Sequence, residues 1–489
     1  MTLPIPSAAP RASDMTPEEF RRCGVLVVDW IADYLAHPER VPVLANVRPG
    51  MVADAVGRQW NGQPATFDQI LEDFNRQLAP GLTHWNHPSF FAYFGISASG
   101  PGILADLLSS ALNQQAMLWR TSPAATELEA VALGWLRDLL GLPPAFEGVI
   151  YDTASISTLH ALATARERVL PQVRQKGLAG CADVRIYCSE HAHSSVDKAV
   201  ILLGFGHQAL RKIACDDVFR MRPDSLADAI REDRARGIVP LAVVATVGTT
   251  ATTSVDPVAA IGQICRDEQV WLHVDAAYAG VAAMVPGWEW TLDGCDVADS
   301  LVVNPHKWLF TPFDLSALFC RHMDALRAAF SLVPDYLETT DPPEARNLMD
   351  TGVQLGRRFR ALKLWMILRF FGKEGLSAIL AEHMRLARLF ASWVEAEPGF
   401  ELTAPTPVSV VCFRAIDKSI PAYSKIDALN QSILERVNRS GRMFLSHARI
   451  FGAISLRLAI GNIRTEESHV RAAWDELRNA RAHELRASP

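Results

Sequence analysis

An α/β fold, a mostly parallel sheet flanked by helices, is the architecture that this 489-residue sequence predicts. Between about residue 100 and residue 375, short β-rich runs (GVIYDTAS, VRIYCSE, LAVVATVGTT, VWLHVDAA, SLVVNPHK and SALFCR) alternate with helical stretches. That alternation is the mark of parallel strands joined by crossover helices. The residues before this stretch are helical by pattern, and those after it read as a smaller α/β unit. The expected organisation is an N-terminal helical segment over 1–98, a large α/β domain over 99–375 and a small C-terminal α/β domain over 376–489.

The first helix is opened by Thr16-Pro17-Glu18-Glu19, a capping box with proline at the first helical position, and Phe20, Val27, Ile31 and Tyr34 follow at helical spacing. Thr66 with Gln69 opens a second helix, which carries Ile70, Leu71, Phe74 and Leu78 and stops at Pro80-Gly81. Both have apolar faces to bury, and periodicity does not say whether the cover is the same chain or another. In the tail, LSAILAEHMRLARLFASWVEA reads as a helix, SVVCFRA and ISLRLAI as strands, and a closing helix runs from Thr465 to about Arg481. There is no internal repeat.

Composition bounds the function. With 49% hydrophobic and 21% charged residues the chain can bury a large core. A net charge of −6 without a Lys/Arg-rich run argues against a nucleic-acid partner. No stretch of about eighteen uncharged apolar residues offers a membrane span. The start MTLPIPSAAPRASD lacks a charged and then apolar leader, so it reads as a frayed terminus. Eight cysteines, at 23, 181, 188, 215, 265, 295, 320 and 412, form no CxxC pair and read as reduced core residues of a cytoplasmic protein.

Ligands of such sheets bind beyond the carboxyl ends of the strands. Thr153 to Ser155, His193, Thr246, Asp275 and Lys307 each closely follow a strand-like run, which gathers them on one rim. Lys307 follows the run LVVNPH, and Asp275 ends VWLHVD 32 residues earlier. A strand-end amine beside a strand-end carboxylate is what pyridoxal phosphate chemistry requires. The lysine forms an imine with the cofactor aldehyde, and the aspartate keeps the pyridine nitrogen protonated so that the ring accepts electrons. The phosphate needs N–H groups and hydroxyls at a helix N-terminus, and Thr153-Ala154-Ser155 sits between the strand GVIY and a helix bearing Leu159, Leu162 and Ala163. His191 and His193 form an HxH pair. Alternate strand residues point to opposite faces and no Cys or carboxylate cluster completes a ligand set, so no metal site is expected.

In NPHKW, HVDAAYAG, HAHSSVDKA, TSPAATELE and LGRRFRALKLW the chain resembles the group II pyridoxal-phosphate decarboxylases, specifically the aromatic-L-amino-acid decarboxylase family. The motifs keep the family's order and spacing from about Thr16 to about residue 480. The resemblance implies a fold-type I PLP enzyme, aminotransferase-like, working as a homodimer with the N-terminal segment packed on the partner subunit. It implies that Lys307 carries the cofactor, that Asp275 pairs with the ring nitrogen, that His193 stacks on the ring, and that Ala154, Ser155, Thr246, Ala277 and His306 complete the cofactor site. Tyr336, in SLVPDYLETT, matches the loop tyrosine that protonates Cα after carbon dioxide leaves. Arg357 matches an arginine near the cofactor phosphate or the loop, while its neighbours Arg358 and Arg360 are read as pairing with helix carboxylates. Asn304 and Trp308 read as structural.

The substrate pocket implied by the resemblance is aromatic. Trp85, Tyr93 and Phe94 in HWNHPSFFAYFGI match it, as does Phe313, while Gln115 and Met117 stand where apolar or aromatic pocket residues are common. Asp152 departs from a frequent glycine. Gly95-Ile96 replaces the Pro-Thr of animal members, which removes a carboxylate-binding hydroxyl. Added room and a polar amide suit an indole or hydroxylated ring. The expected reaction is decarboxylation of an aromatic L-amino acid. The oxidative aldehyde synthases built on the same scaffold are the main rival; they typically replace one of the residues matching His193 and Tyr336, and since both are present here, simple decarboxylation to the amine is favoured. A decarboxylase of acidic amino acids and a silent cofactor-binding protein are weaker alternatives.

Overall fold

The computed structural model describes residues 13–332, 345–417, 419 and 423–487. Its centre is a seven-stranded sheet made of β1 (Glu147–Tyr151), β2 (Val184–Ser189), β3 (Leu210–Ile213), β4 (Val239–Thr246), β5 (Trp271–Asp275), β6 (Ser300–Val303) and β7 (Ser316–Cys320). The spatial order is β1-β7-β6-β5-β4-β2-β3. Neighbours among β2 to β6 pair in parallel, and β7 lies antiparallel between β6 and β1.

The strand sequences are continuous apolar runs because both faces of the sheet are covered: every residue of β5, β6 and β7 is buried. Successive side chains alternate between two cores. Ala242, Val244, Val302 and Leu318 join the helices Ala154–Val169, Ser195–Leu202 and Met323–Phe330 on one face. Val243, Ala245, Leu301 and Phe319 join Pro123–Leu139, Pro223–Ala235 and Val258–Asp267 on the other. Each fully buried Val, Leu or Ile side chain contributes about 1.5–3 kcal/mol, which makes this sheet a rigid base for groups at its rim.

A second, antiparallel sheet orders β8 (Phe400–Leu402), β9 (Val410–Ala415), β10 (Ser446–Ile450) and β11 (Ala453–Ala459) as β10-β11-β9-β8. Phe390, Val437 and Leu477 pack the helices Ala361–Ala396, Tyr423–Arg439 and Glu467–Ala487 against it. The helix Ala361–Ala396 runs through the expected boundary at 375/376 and is broken nearby at Gly372, whose backbone is non-helical at φ 63° and ψ 179°. The extended segment 85–99 ties the two sheets. Phe91 donates its N–H to the Phe444 carbonyl and accepts from Ala459 N–H, each at 2.9 Å, and Ser99 N–H reaches the Phe310 carbonyl at 2.9 Å.

The N-terminal helices form as their caps predict. Thr16 accepts the Glu19 N–H at 3.2 Å in front of Pro17–Ala36. The Thr66/Gln69 box opens Phe67–Asp73, which loosens into a π turn over Phe74–Leu78 and ends in a 3-10 turn over Ala79–Gly81 containing Pro80, a residue with no N–H to continue the ladder. Within Pro17–Ala36 only Cys23 is buried, while Phe20, Val25 and Val28 are exposed. On Gly100–Leu112, Leu104, Leu107, Leu108 and Leu112 are each about half exposed, so an apolar face stands uncovered by the described residues.

Candidate active site

The rim of the large sheet collects the polar residues. Ser189 closes β2, Thr246 closes β4 and Asp275 closes β5, while Asn304 follows β6 and begins the short helix Pro305–Trp308 that carries Lys307. Thr246 and Asp275 are paired in register, and Asp275 Oδ1 accepts the Ala277 N–H at 3.1 Å. Three buried side-chain atoms at these strand ends, Ser189 Oγ, Thr246 Oγ1 and Asn304 Oδ1, have no hydrogen-bond partner among the described residues. Buried polar groups are seldom left unmatched, so such a cluster at one rim suits a bound polar ligand.

Lys307 lies beside Phe94, with Nζ 5.1 Å from the ring centroid. Burial holds its pKa below the ordinary lysine value of 10.5; the Asp275 carboxylate pulls it up and the Arg457 guanidinium pushes it down. An amine with a depressed pKa is the nucleophile that imine chemistry needs. Phe94 stacks on Tyr278 at 3.8 Å, Tyr278 stacks on Trp308 at 4.9 Å, and Trp308 Nε1–H donates to His383 Nδ1 at 2.9 Å. A column of rings thus braces the lysine-bearing turn from below, which accounts for Trp308 as a structural residue.

His193 and His191 both lie beyond the end of β2, in the turn before Ser195–Leu202, so the strand-alternation argument made for them does not apply. His193 Nδ1 accepts the Ser195 N–H at 3.1 Å and contacts its hydroxyl at 2.8 Å. A backbone N–H can only donate, so Nδ1 is the bare nitrogen and the neutral ring carries its proton on Nε2. Desolvation lowers its pKa below the usual 6.5, while Asp275 raises it and Lys307 lowers it. His191 meets Phe219 edge-on at 5.5 Å.

The loop 152–155 follows β1 and runs into the first turn of the helix Ala154–Val169, whose N–H groups and dipole favour an anion. Asp152, the departure from glycine, accepts from the Thr153 hydroxyl through Oδ1 at 2.9 Å and from Gln354 Nε2 through Oδ2 at 3.3 Å. His306 accepts the Leu315 N–H on Nδ1 at 3.0 Å and bonds the Asp152 backbone, joining the lysine turn to this loop. Burial pushes the His306 pKa down to about 3. Arg357, expected near the phosphate or the loop, is buried with its guanidinium 2.7 Å from Glu129.

Trp85 and Tyr93 face each other, while the Phe94 ring stacks on Tyr278. Trp85 stacks near Phe90 at 4.3 Å and Tyr93 at 6.0 Å, and Tyr93 meets Phe444 edge-on. Gly95 is explained by contact, since a Cβ there would lie 3.1 Å from the Gly461 backbone. Phe313 is exposed beside His306 at 4.8 Å. Gln115 and Met117 pack instead against the segment 347–357: Gln115 Oε1 accepts the Arg357 N–H at 2.7 Å, and the Met117 carbonyl accepts the Met349 N–H at 3.0 Å. Tyr336 lies outside the described residues.

Sequence reasoning missed Arg457. It is 3% exposed in β11, with Cζ 4.7 Å from the Phe94 ring. Its Nε donates to the Ala251 carbonyl at 3.0 Å and its Nη1 to the Tyr93 carbonyl, while Nη2 has no partner among the described residues. The available signal was a lone charge inside the apolar run ISLRLAI, since arginine is rarely buried unless it is engaged. Asn304, read as structural, also carries an unmatched buried oxygen at this rim.

Residues 49–416 match the pyridoxal-dependent decarboxylase conserved domain. Phenylacetaldehyde synthase from Arabidopsis thaliana is 40% identical over 94% of this chain and 95% of its own length. Aromatic-L-amino-acid decarboxylase from Sus scrofa is 39% identical over 97% of this chain and 98% of its own length. The crystal structure of Oryza sativa TDC with PLP and tryptamine superposes with a TM-score of 0.94 at 34% identity, covering 97% of this chain and 99% of that one. Together with a fold-type I sheet that ends in Asp275 and the Lys307 turn, these likenesses show that the chain belongs to the pyridoxal-dependent decarboxylases, within the aromatic-L-amino-acid decarboxylase family of PLP-dependent carboxy-lyases.

Proposed function

We propose that this enzyme converts an aromatic L-amino acid to the corresponding arylethylamine and carbon dioxide, with tryptophan, 5-hydroxytryptophan, tyrosine, phenylalanine and dihydroxyphenylalanine as candidate substrates. The observation that carries the reading is the convergence of Lys307 and Arg457 on Phe94, next to the Trp85–Tyr93 wall. An amine, a guanidinium with a spare N–H and an aromatic surface match the three parts of such a substrate.

Pyridoxal phosphate, when bound, supplies an electron sink at the substrate's α carbon. Lys307 would hold the cofactor, with loop residues Ala154 and Ser155 at its phosphate and Thr246, Ala277 and His306 lining its bed. Asp275 would hold a proton on the ring nitrogen, one of its oxygens being already fixed by Ala277 N–H. His193, neutral with its proton on Nε2, would cover the ring without adding charge. Arg457 would take the substrate carboxylate through Nη2 and so orient the bond that breaks. Tyr336, by its sequence position, would return a proton to Cα.

Several further features support the remaining assignments. Every α-amino acid carries the carboxylate that Arg457 would bind, so this arginine does not select an acidic side chain; the Trp85 and Tyr93 rings favour an aryl group. The apolar stripe Leu104, Leu107, Leu108 and Leu112, together with the exposed face of Pro17–Ala36, supports a homodimer in which the N-terminal segment covers the partner. All eight cysteines are free, which supports a reducing, cytoplasmic setting. No described helix is long and apolar enough to cross a membrane.

The likeness to a phenylacetaldehyde synthase keeps the oxidative aldehyde route as the second reading. The decisive experiment supplies a panel of aromatic and acidic amino acids to the PLP-loaded protein and measures amine, aldehyde, carbon dioxide and peroxide. Amine with stoichiometric carbon dioxide from an aromatic substrate is expected; aldehyde with peroxide assigns the oxidative route, and turnover of acidic substrates alone overturns both. In Tyr336→Phe, product should move from amine toward aldehyde.

A further inference from the structure

Among the described strands β1 is an edge of the large sheet, hydrogen-bonded only to β7, so the outward N–H and C=O groups of its alternate residues must find partners elsewhere. At Ile150 one buried ion pair takes both. Glu129 Oε1 accepts the Ile150 N–H at 2.9 Å, Arg357 Nη2 donates to the Ile150 carbonyl at 2.9 Å, and the two side chains meet at 2.7 Å. Glu129 is 2% exposed and Arg357 6%.

We propose that Arg357, acting with Glu129, is a positioning residue for the cofactor phosphate: the pair replaces the strand missing at the sheet edge and fixes the end of β1 just before loop 152–155. The proposal rests on reading that loop as the phosphate site. Neighbouring contacts act in the same direction. The Tyr151 hydroxyl donates to the Thr351 carbonyl, Gln354 Nε2 donates to Asp152 at 3.3 Å, and the Val353 N–H donates at 3.1 Å to Nε2 of His160, which lies in the helix the loop opens. On its other side Arg357 is sewn to the loop bearing Gln115, donating its N–H to the Gln115 side chain at 2.7 Å and accepting the Ala116 N–H at 2.9 Å. One residue thereby sets the phosphate loop and the Gln115–Met117 segment in register with each other.

A surface ion pair in this place would matter little, because water would satisfy either partner. A buried pair that also terminates a strand differs, since removing one member strands the charge of the other. The informative variants are therefore the neutral double substitution Glu129→Gln with Arg357→Gln, which avoids a stranded charge, and Arg357→Lys, which keeps the charge but loses the fork that serves Glu129 and Ile150 together.

The experiment measures the affinity of the apoprotein for pyridoxal phosphate and for pyridoxal, which lacks the phosphate, by cofactor absorbance. The Glu129→Gln/Arg357→Gln variant is expected to bind pyridoxal like the parent and pyridoxal phosphate about 10–100-fold more weakly, the range typical of residues that orient a ligand-holding group. Arg357→Lys should fall between. Equal weakening toward both ligands, or unchanged affinity for both in the folded variants, overturns the proposal and leaves the pair a stabilising contact. Ser155→Ala, measured alongside, tests the loop separately: if it leaves the preference for the phosphorylated ligand intact, the reading of loop 152–155 fails whatever the pair does.

Discussion

Thr246 and Asp275 are the last residues of adjacent parallel strands and face each other in register, so the hydroxyl and the carboxylate leave the sheet side by side. Their placement is backed from below, where Asp256 accepts the Thr246 N–H at 2.8 Å, and from the side, where the Val247 N–H reaches the Asp275 carbonyl at 2.8 Å. Two neighbouring backbones hold the pair, which is why a carboxylate here can be aimed at one ring atom. Replacing Asp275 by Asn keeps shape and removes charge. Turnover should fall on the order of 10²-fold or more, as when one preorganised electrostatic partner is lost, with the cofactor still bound. Steady-state kinetics beside a cofactor absorbance titration check this.

Lys307 has a pKa held below 10.5 by burial, against the pull of Asp275. Between that lowered value and 10.5 the unfolded chain binds more protons than the folded one. Stability of the apoprotein therefore rises with pH across that window, and the penalty is full below it. Lys307→Met should abolish turnover yet stabilise the apoprotein, with a gain that shrinks as pH approaches 10.5. Competitive acylation of the apoprotein across pH, read on the Lys307 peptide by mass spectrometry, should give a pKa below that of surface lysines.

Burial holds five histidines neutral: the pKa values of His87, His160, His273 and His383 are lowered to about 4, and that of His306 to about 3. Below pH ~6.5 the unfolded chain takes up protons that these residues refuse, so stability falls with acid by as much as ~1.4 kcal/mol per pH unit for each group. Asp256, raised to about 6 by burial, works the other way and holds an extra proton in the folded state between about 6 and 3.8. One group does not offset five. The urea midpoint of the apoprotein should drop steadily from pH 6.5 toward 4.5, and an unchanged midpoint would contradict the neutral assignments.

Arg457 presents Nη2 without a partner among the described residues, beside Lys307 and Phe94. Loss of a charge-assisted contact amounts to about 1.5–3 kcal/mol, so Arg457→Met should raise KM for the amino acid by roughly 10–100-fold. Inhibition by the amine product, which has no carboxylate, should change little. Equal weakening of both ligands would show that the arginine only packs the site.

Leu104, Leu107, Leu108 and Leu112 form a half-exposed stripe on one helix. If a second copy covers it, Leu107→Glu with Leu108→Glu buries two unpaired charges at the interface. The dissociation constant should then rise by several orders of magnitude, visible as a shift to monomer in sedimentation velocity.

Much of the candidate site was legible because it depends on local order along the chain. A short apolar run that ends in Asp or leads into Pro-His-Lys reads as a buried strand with its polar group at the rim, so the rim positions of Asp275, Thr246 and Lys307 followed from the strand-end rule. The cap residues Thr16 and Thr66 were legible for the same reason, since a cap bonds within its own first turn. His193 was placed at the rim correctly, while the strand expected to carry it stops at Ser189.

What the sequence by itself determined is the set of elements, the α/β class and the chemistry of the rim, since these rest on short-range spacing and on the residue types that such chemistry requires. Only the tertiary structure decided which distant residues meet. Arg457 is 364 positions from Tyr93, whose carbonyl it binds, and Arg357 is 228 from Glu129. Along the chain Arg357 is one of a cluster of arginines and Arg457 a lone charge in an apolar run, and neither pattern names a partner. Each is drawn inside by a partner that the fold brings near, carbonyls and an aromatic ring for Arg457 and a carboxylate at a sheet edge for Arg357, and no periodicity encodes that contact.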